Sequence, residues 1–186
     1  AAYERLQQLL DLKQRVGVPV VAAHVIGRNP DHWLQMIFID VGTRDGVREN
    51  MVVAGAEGVV GRVIRVSEHT ATVLLLTDPQ SGIGVMIAES RDAGVATGQA
   101  GEPTLRVRFF SRAPMVKRGD AVVTSGYSAV FPPGLPVGTV VDIEQDAQGL
   151  VRWAVVEPAV DFDRLTEVLV LRADVLLPGA PLGGQF

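Results

Sequence analysis

The chain contains no cysteine, and only 5% of its 186 residues are aromatic. The absence of cysteine excludes thiol catalysis, cysteine-based metal sites and a disulfide framework. Glycine is abundant, with 20 residues, and valine recurs throughout the sequence. A chain that is rich in valine and glycine but poor in aromatic residues favours many short strands joined by tight turns.

Neither sign of charge dominates, and no long apolar run occurs. The formal net charge is −4, so the sequence does not predict a surface for nucleic acid or for an anionic membrane. The longest nearly apolar run, residues 16–26, contains Pro19 and His24 and is too short to span a bilayer. The 47% hydrophobic content predicts a globular chain.

Residues 3–16 are predicted to form a helix, because they lack glycine and proline and are rich in helix-forming residues. Tyr3, Leu6 and Leu10 fall at heptad-like spacing, which makes them candidates for self-association. The helix either caps the globular part or is the end of a longer coiled coil. We therefore assign residues 1–16 to an N-terminal helical segment.

Beyond Gly17 the sequence predicts a mainly β fold. Leu105 and Val107 alternate with Arg106 and Arg108, which is typical of a strand that buries one face. Turn signals such as Asp45-Gly46 separate the runs, and many short strands at this spacing favour barrels or a sandwich. The predicted strands are residues 36–40, 51–54, 59–66, 72–76, 83–88, 105–110, 121–124, 137–143, 151–156 and 168–171.

A weak internal repeat indicates two similar β units. Val52-Val53 corresponds to Val122-Val123 at an offset of 70 residues, and Gly61 corresponds to Gly138 at an offset of 77. The second unit therefore carries a predicted insertion of seven residues, which falls in the stretch 127–133. The tail, residues 173–186, has two prolines and three glycines after the last strand and is predicted to be flexible.

Catalytic and metal chemistry find little support in the sequence. A serine hydrolase would combine His69, Asp40 or Asp78, and Ser125 or Ser128, but no nucleophile motif surrounds either serine. The three histidines show no metal-ligand spacing, and the pair Asp161 and Asp163 lies outside any EF-hand pattern and suits a turn or a short helix cap. We predict no enzymatic activity, no metal and no cofactor.

The stretch 124–140 is instead a candidate interaction surface. Tyr127, Val130 and Phe131 lie in a loop stiffened by prolines, where apolar side chains either pack into the barrel or face a partner. The prolines would reduce the ordering cost of binding. Phe109 is a further candidate partner-binding residue.

These features resemble the family of rod shape-determining proteins called MreC, over about residues 20–172. The resemblance depends on seven blocks that occur in order: Val25-Ile26-Gly27-Arg28-Asn29-Pro30 with Trp33, Ile39-Asp40-Val41-Gly42 with Asp45-Gly46-Val47, Gly58-Val59-Val60-Gly61-Arg62-Val63, Leu74-Leu75-Leu76-Thr77-Asp78-Pro79, Gly119-Asp120 with Val123-Thr124-Ser125-Gly126, Phe131-Pro132-Pro133-Gly134-Leu135-Pro136-Val137-Gly138, and Asp161-Phe162-Asp163-Arg164-Leu165.

The resemblance implies a non-enzymatic scaffold of the bacterial elongation complex, on the periplasmic side of the inner membrane. It implies a single-pass membrane helix and a coiled coil ahead of two β-barrel subdomains, which we place at residues 17–100 and 101–172. It also implies MreB, MreD, RodA and the elongation penicillin-binding protein as partners, and a homodimer or larger assembly. Membrane contact is expected only through that anchor. A barrel-fold serine hydrolase and a peptidoglycan-binding module remain as alternatives.

Overall fold

A computed structural model of the chain describes residues 3, 4, 7, 10, 19–29, 34–126 and 132–172. Tyr3, Glu4, Gln7 and Leu10 are helical, while Leu6 lies outside the described residues, so the N-terminal helix as a whole stays a prediction. Tyr127, Val130, Phe131, Ser128 and the tail 173–186 also lie outside them.

The described residues form twelve strands and two short 3₁₀ turns. The turns cover Thr43–Asp45 and Phe162–Arg164. Numbered along the chain, the strands are β1 (Val20–Arg28), β2 (Met36–Ile39), β3 (Val52–Ala54), β4 (Val59–Val66), β5 (Ala71–Leu75), β6 (Gly82–Ile87), β7 (Ala93–Gly98), β8 (Leu105–Phe109), β9 (Ala121–Thr124), β10 (Pro136–Gln145), β11 (Val151–Pro158) and β12 (Glu167–Leu171).

The strands close into two antiparallel barrels of six strands each. The first barrel has the order β1-β12-β3-β4-β5-β2, and the second has the order β10-β11-β8-β7-β6-β9. Period-2 alternation separates inside from outside in β8, which pairs with β7 and β11: Leu105 and Val107 are buried inside the second barrel, while Arg108 is exposed. The predicted mainly β fold with two small barrels is confirmed.

Two strands of the first barrel are buried on both faces. In β12 Val168 and Val170 pack inside that barrel, while Leu169 and Leu171 belong to the apolar cluster that contains the interior of the second barrel. In β3 Val53 faces the first interior, and Val52 and Ala54 belong to the second cluster. Continuous apolar runs are expected of strands covered on both sides. The two barrels therefore share one apolar interface.

The strands are divided between the barrels differently from the predicted boundary at residues 100 and 101. Strands β6 and β7, assigned to the first subdomain, belong to the second barrel, and β12, assigned to the second, belongs to the first. The chain leaves the first barrel after β5, builds the whole second barrel, and returns as β12 between β1 and β3. Pairing between strands so far apart in sequence leaves no local signal at a boundary.

The internal repeat is present in the structure, with one residue of correction. Val53 pairs with Gly61 and Val122 pairs with Gly138, so Val53 corresponds to Val122 at an offset of 69 residues rather than 70. The insertion in the second unit is therefore eight residues. A bulge follows at matching places in the second strand of each pair, after Val63 in β4 and after Val140 in β10.

Candidate interaction surfaces

Thr124 holds together the base of the loop that the sequence singled out. Its side chain is fully buried; its Oγ1 donates to the carbonyl of Pro132 at 2.5 Å and accepts from the N–H of Leu135 at 2.9 Å. Its own carbonyl accepts from the N–H of Gly134, also at 2.9 Å. One threonine thus links both ends of the loop, because a buried hydroxyl needs partners for its donor and its acceptor sites.

Two glycines with positive φ shape the same base. Gly126 has φ 75°, and a Cβ there would lie 2.8 Å from Cβ of Pro133, so only glycine fits without a shift. Gly134 has φ 84° and turns the chain towards β10, as the Pro-Pro-Gly sequence predicts. The side chains of Tyr127, Val130 and Phe131 lie outside the described residues, so their role as a contact surface stays a prediction.

Phe109 occupies a different environment from the loop. It is the last residue of β8, half-buried, and packs against the apolar cluster of the second barrel. The chain then passes through residues 110–120 and runs along β9 before it reaches the loop base at Thr124. Phe109 therefore lies at the opposite end of the antiparallel barrel from the point where the loop begins.

The second barrel exposes an apolar pair that the sequence reading missed. Phe110 is 69% exposed and Met115 is 77% exposed, both in the connection between β8 and β9. Their backbones are held beside the start of β7, since the N–H of Phe110 donates to the carbonyl of Ala93 and the N–H of Met115 donates to Oδ2 of Asp92. Two large apolar side chains in water on one connection are typical of a contact surface.

The first barrel exposes a second apolar pair, Ile26 and Phe38. A bulge in β1 between Val25 and Gly27 adds Ile26 to the strand, and Gly27 lies opposite Phe38 in β2. A Cβ on Gly27 would lie 3.3 Å from the ring of Phe38, so the ring covers the glycine. Period-2 reading could not find this pair, because the bulge shifts the alternation by one residue.

The N-terminal candidates for self-association are described only in part. Tyr3 and Leu10 are both exposed and both helical, and seven residues separate them. That spacing places them on one side of a helix. Leu6 lies outside the described residues, so the stripe as a whole stays a prediction.

The groups that a hydrolase would need are engaged elsewhere. His69 lies in the turn between β4 and β5, where its Nε2 is 3.9 Å from the carboxylate of Glu68. Asp40 pairs with His24, and the buried carboxylate of Asp78 accepts from the N–H groups of Gln35 and Gln80. Among the described residues, neither predicted acid forms a hydrogen bond or ion pair with His69, as an orienting partner would need.

Asp161 has a structural role that the sequence predicted. Its Oδ1 accepts from the N–H of Asp163 at 3.1 Å and so caps the 3₁₀ turn Phe162–Arg164. Arg28 of β1 reaches the same turn and donates to the carbonyls of Phe162 and Leu165. Within the described ranges, no group of three or more acidic or histidine side chains could hold a metal ion.

No helix within the described part of the chain is long and apolar enough to cross a bilayer. The described residues define a double-barrel protein, with apolar side chains exposed on each barrel. The chain belongs to the family described as "Rod shape-determining protein MreC, barrel core", whose model matches residues 25–172.

Similar proteins of two bacteria support membership of this family. The cell shape-determining protein MreC of Cereibacter sphaeroides is 37% identical over 175 residues, covering 92% of this chain and 56% of that protein. The MreC of Bacillus subtilis is 35% identical over 166 residues, covering 83% of this chain and 57% of that protein. The chain thus spans a little over half the length of these relatives.

Solved structures share the fold. A structure named MreC has a TM-score of 0.81 at 34% identity, covering 91% of this chain and 97% of that chain. The major periplasmic domain from the cell shape-determining filament MreC has a TM-score of 0.72 at 28% identity, covering 82% and 95%. A complex between penicillin-binding protein PBP2 and MreC from Helicobacter pylori has a TM-score of 0.62, covering 83% and 99%; at 18% identity this likeness shows the fold alone.

Proposed function

We propose that the chain is a non-enzymatic, periplasmic scaffold that binds a penicillin-binding protein of the elongation machinery and helps to set rod shape. The family match over residues 25–172 carries this proposal. The Helicobacter pylori relative was solved in complex with PBP2, which supports a partner of that kind. The exposed apolar side chains on both barrels offer surfaces for such a contact.

We place the contact on the loop 127–131, with Tyr127, Val130 and Phe131 as the side chains that bind. The base of the loop is ordered by Thr124, Gly126 and Gly134, so a partner would pay little to order it further. The pair Phe110 and Met115 lies at the other end of the barrel and is the competing location. Phe109 packs against the interior and would support that competing surface from beneath.

Interferometry against the periplasmic region of the elongation penicillin-binding protein tests the proposal. We expect saturable binding that Tyr127→Ala or Phe131→Ala weakens at least tenfold, which is about 1.4 kcal/mol. Leu150→Ala is the matched control, because Leu150 is a partly exposed apolar residue in the turn between β10 and β11. Each variant must retain the circular dichroism of the parent.

The outcomes test separately whether the chain binds the penicillin-binding protein and where on the second barrel the contact lies. A loss confined to the double variant Phe110→Ala and Met115→Ala would keep the scaffold and move the contact to the other end of the barrel. Absence of saturable binding by the folded chain would contradict the proposed contact. Turnover of an ester substrate that is lost in Ser125→Ala would restore the hydrolase alternative.

We further propose that the N-terminal helix pairs with a second copy through Tyr3, Leu6 and Leu10. The exposure of Tyr3 and Leu10 on one side of a helix supports this. Sedimentation equilibrium should show a dimer that Leu6→Glu with Leu10→Glu converts to monomer. Contacts with MreB, MreD and RodA, and a single-pass anchor, belong to the same proposal.

A further inference from the structure

The outer face of strands β7, β8 and β11 carries side chains that neither barrel interior uses. The strand register sets Val95 beside Arg108 and Thr97 beside Arg106, and Arg106 in turn beside Val155. A groove of about 430 Å³ lies over the β7–β8 part of this face and is lined by Val95, Thr97, Gly98, Gln99, Arg106 and Arg108. We define the arginine–tryptophan face as Val95, Thr97, Arg106, Arg108, Trp153 and Val155.

Two guanidinium groups lie close to the indole ring of Trp153. The Cζ of Arg106 is 4.3 Å from the centre of the indole ring, and the Cζ of Arg152 is 5.0 Å from it. A cation over an aromatic face at such distances is attracted by the electrons of the ring. The stack thus holds Arg106 in place before any partner arrives, and this reduces the ordering cost of binding.

Among the residues that the structure describes, the two arginines of the face are not paired with a carboxylate, and the acidic residues beside it are Glu144, opposite Trp153, and Asp142, which binds Arg118. Within the described residues, Lys117, Arg118 and Arg164 each pair with a carboxylate, but Arg106 and Arg108 have no ion pair. Moreover, Nε of Arg106 and Nε1 of Trp153 are covered by other atoms and have no hydrogen-bond acceptor among the described residues. Buried donors normally have a partner.

We propose that the arginine–tryptophan face binds an extended acidic segment of a partner protein. Arg106 and Arg108 are alternate residues of one strand, so their side chains leave the sheet about 7 Å apart. Carboxylates at alternate positions of an extended peptide have the same spacing and can each meet one guanidinium. Arginine and tryptophan are also the residues that most often dominate protein interfaces.

The apolar members of the face favour a protein segment over a simple polyanion. Val95 is partly exposed beside Arg108, and Val155 lies beside Arg106. A phosphate polymer would gain nothing from these side chains, whereas a peptide can bury apolar groups on them. The face shares no residue with the loop 127–131 or with the pair Phe110 and Met115, although Phe110 follows Arg108 by two residues, and its charged residues make this inference separate from the proposed contact with a penicillin-binding protein.

Fluorescence anisotropy with a labelled peptide of alternating aspartate and valine tests the inference. We expect saturable binding that the double variant R106Q/R108Q weakens by at least about tenfold. R91Q/R112Q is the matched control, because it removes the same charge from two exposed arginines outside the face. That control should change the dissociation constant by less than about twofold. Unchanged melting curves establish that both double variants fold.

Three results would overturn the inference. The first is equal weakening by both double variants, which would indicate bulk charge alone. The second is equal affinity for a peptide of the same composition with its aspartates in adjacent pairs, since the alternate spacing would then be irrelevant. The third is inorganic polyphosphate binding as tightly as the peptide, which would replace a protein segment by a generic polyanion.

Tryptophan emission provides a readout at the face itself. The chain has two tryptophans, so Trp33→Phe leaves Trp153 as the single reporter. A carboxylate that binds Arg106 where it stacks on the indole ring should change the emission of Trp153 in step with the anisotropy. Binding without any change in that emission would place the peptide elsewhere and contradict the inference.

Discussion

The two barrels have the same strand arrangement but follow different routes along the chain. Going round the second barrel, the order is β6-β7-β8-β11-β10-β9; going round the first, it is β12-β1-β2-β5-β4-β3. The strands correspond one to one, with β12 in the place of β6. The second barrel is thus closed by one continuous segment, whereas the first needs the last strand of the chain. Its closure therefore involves the longest-range contacts, which form slowly.

Matching details show how similar the two units are. Asn50, just before β3, and Gly119, just before β9, both have positive φ, at 71° and 90°. The N–H of each donates to the next strand, to the carbonyl of Val63 in one barrel and of Val140 in the other. The same backbone arrangement is therefore built from different residues, since asparagine and glycine are the two that best tolerate this conformation.

The largest expected effect is on the first barrel alone. A chain that ends at Thr166 lacks β12, which carries the buried side chains Val168, Leu169, Val170 and Leu171. Each contributes about 1.5–3 kcal/mol when buried, so the first barrel should not close. Hydrogen exchange should show lost protection in β1–β5 and retained protection in β6–β11. A chain that ends at Arg172 is the control, and protection of β1–β5 in both chains would disprove the dependence.

The next effect should be equal in the two barrels. A Cβ on Gly61 would lie 1.9 Å from the carbonyl oxygen of Leu74, and one on Gly138 would lie 2.1 Å from that of Glu157. Gly61→Ala and Gly138→Ala should each destabilise by about 3 kcal/mol, because a neighbouring strand must move. Urea unfolding measures this.

Gly82→Ala serves as the control for that pair. Its Cβ would meet only a methyl group of Val95 at 3.9 Å, so stability should change by less than about 1 kcal/mol. A marked difference between Gly61→Ala and Gly138→Ala would show that one barrel can shift its strands more easily than the other.

A smaller effect should distinguish the two turn residues. Gly119→Ala should destabilise by about 1–2 kcal/mol, because a Cβ there meets no atom within 4 Å but is disfavoured at positive φ. Asn50→Gly should change stability by less than about 0.5 kcal/mol, since asparagine already tolerates that conformation. Thermal unfolding of both variants measures the difference. Equal destabilisation by Gly119→Ala and Asn50→Gly would contradict this expectation and would mean that the two turns are not equivalent.

The smallest effect concerns Asp142, a carboxylate whose matching position in the first barrel is an arginine. Hydrogen bonds from the N–H of Ile143 and from Arg118 lower the pKa of Asp142 below its ordinary value of 3.8. A lowered folded pKa stabilises the fold above that ordinary value, and this contribution is lost as the pH falls through the folded pKa. Asp142→Asn should therefore melt slightly lower than the parent near neutral pH, and the gap should close in acid.

The matching position in the first barrel is the control for that titration. Arg65 follows the bulge in β4 as Asp142 follows the bulge in β10. Arg65→Gln should leave a difference in melting temperature that does not vary across the acid range. If the difference in melting temperature between Asp142→Asn and the parent stays constant in acid, the lowered pKa of Asp142 is contradicted.

Local patterning was enough for most strands and for the repeat. Residues 59–66 and 121–124 were predicted with their observed bounds, because alternating or continuous valines between turn residues leave little choice. Two strands were not predicted, β1 and β7; in β7, with the sequence AGVATG, only Val95 and Thr97 have high β propensity. Its glycines are needed by the tertiary structure, since a Cβ on Gly94 would lie 2.1 Å from the carbonyl oxygen of Arg108.

The candidate surfaces were less predictable than the fold. The loop was found from its prolines and aromatic residues, but exposure of Phe110 and Met115 depends on hydrogen bonds to Ala93 and Asp92 across the barrel end. The pair Ile26 and Phe38 depends on a bulge, and the stack of Arg106 on Trp153 depends on the pairing of β8 with β11. None of these contacts is local in sequence.

By itself the sequence determined the mainly β class, the paired units, the family and the absence of cysteine chemistry, because periodicity, turn residues and composition are local properties. Only the tertiary structure decided which strands share a barrel, that β12 closes the first barrel, and which apolar and charged side chains meet on one face. Strand pairing across more than a hundred residues follows from burial of two faces at once, and no stretch of sequence contains that information on its own.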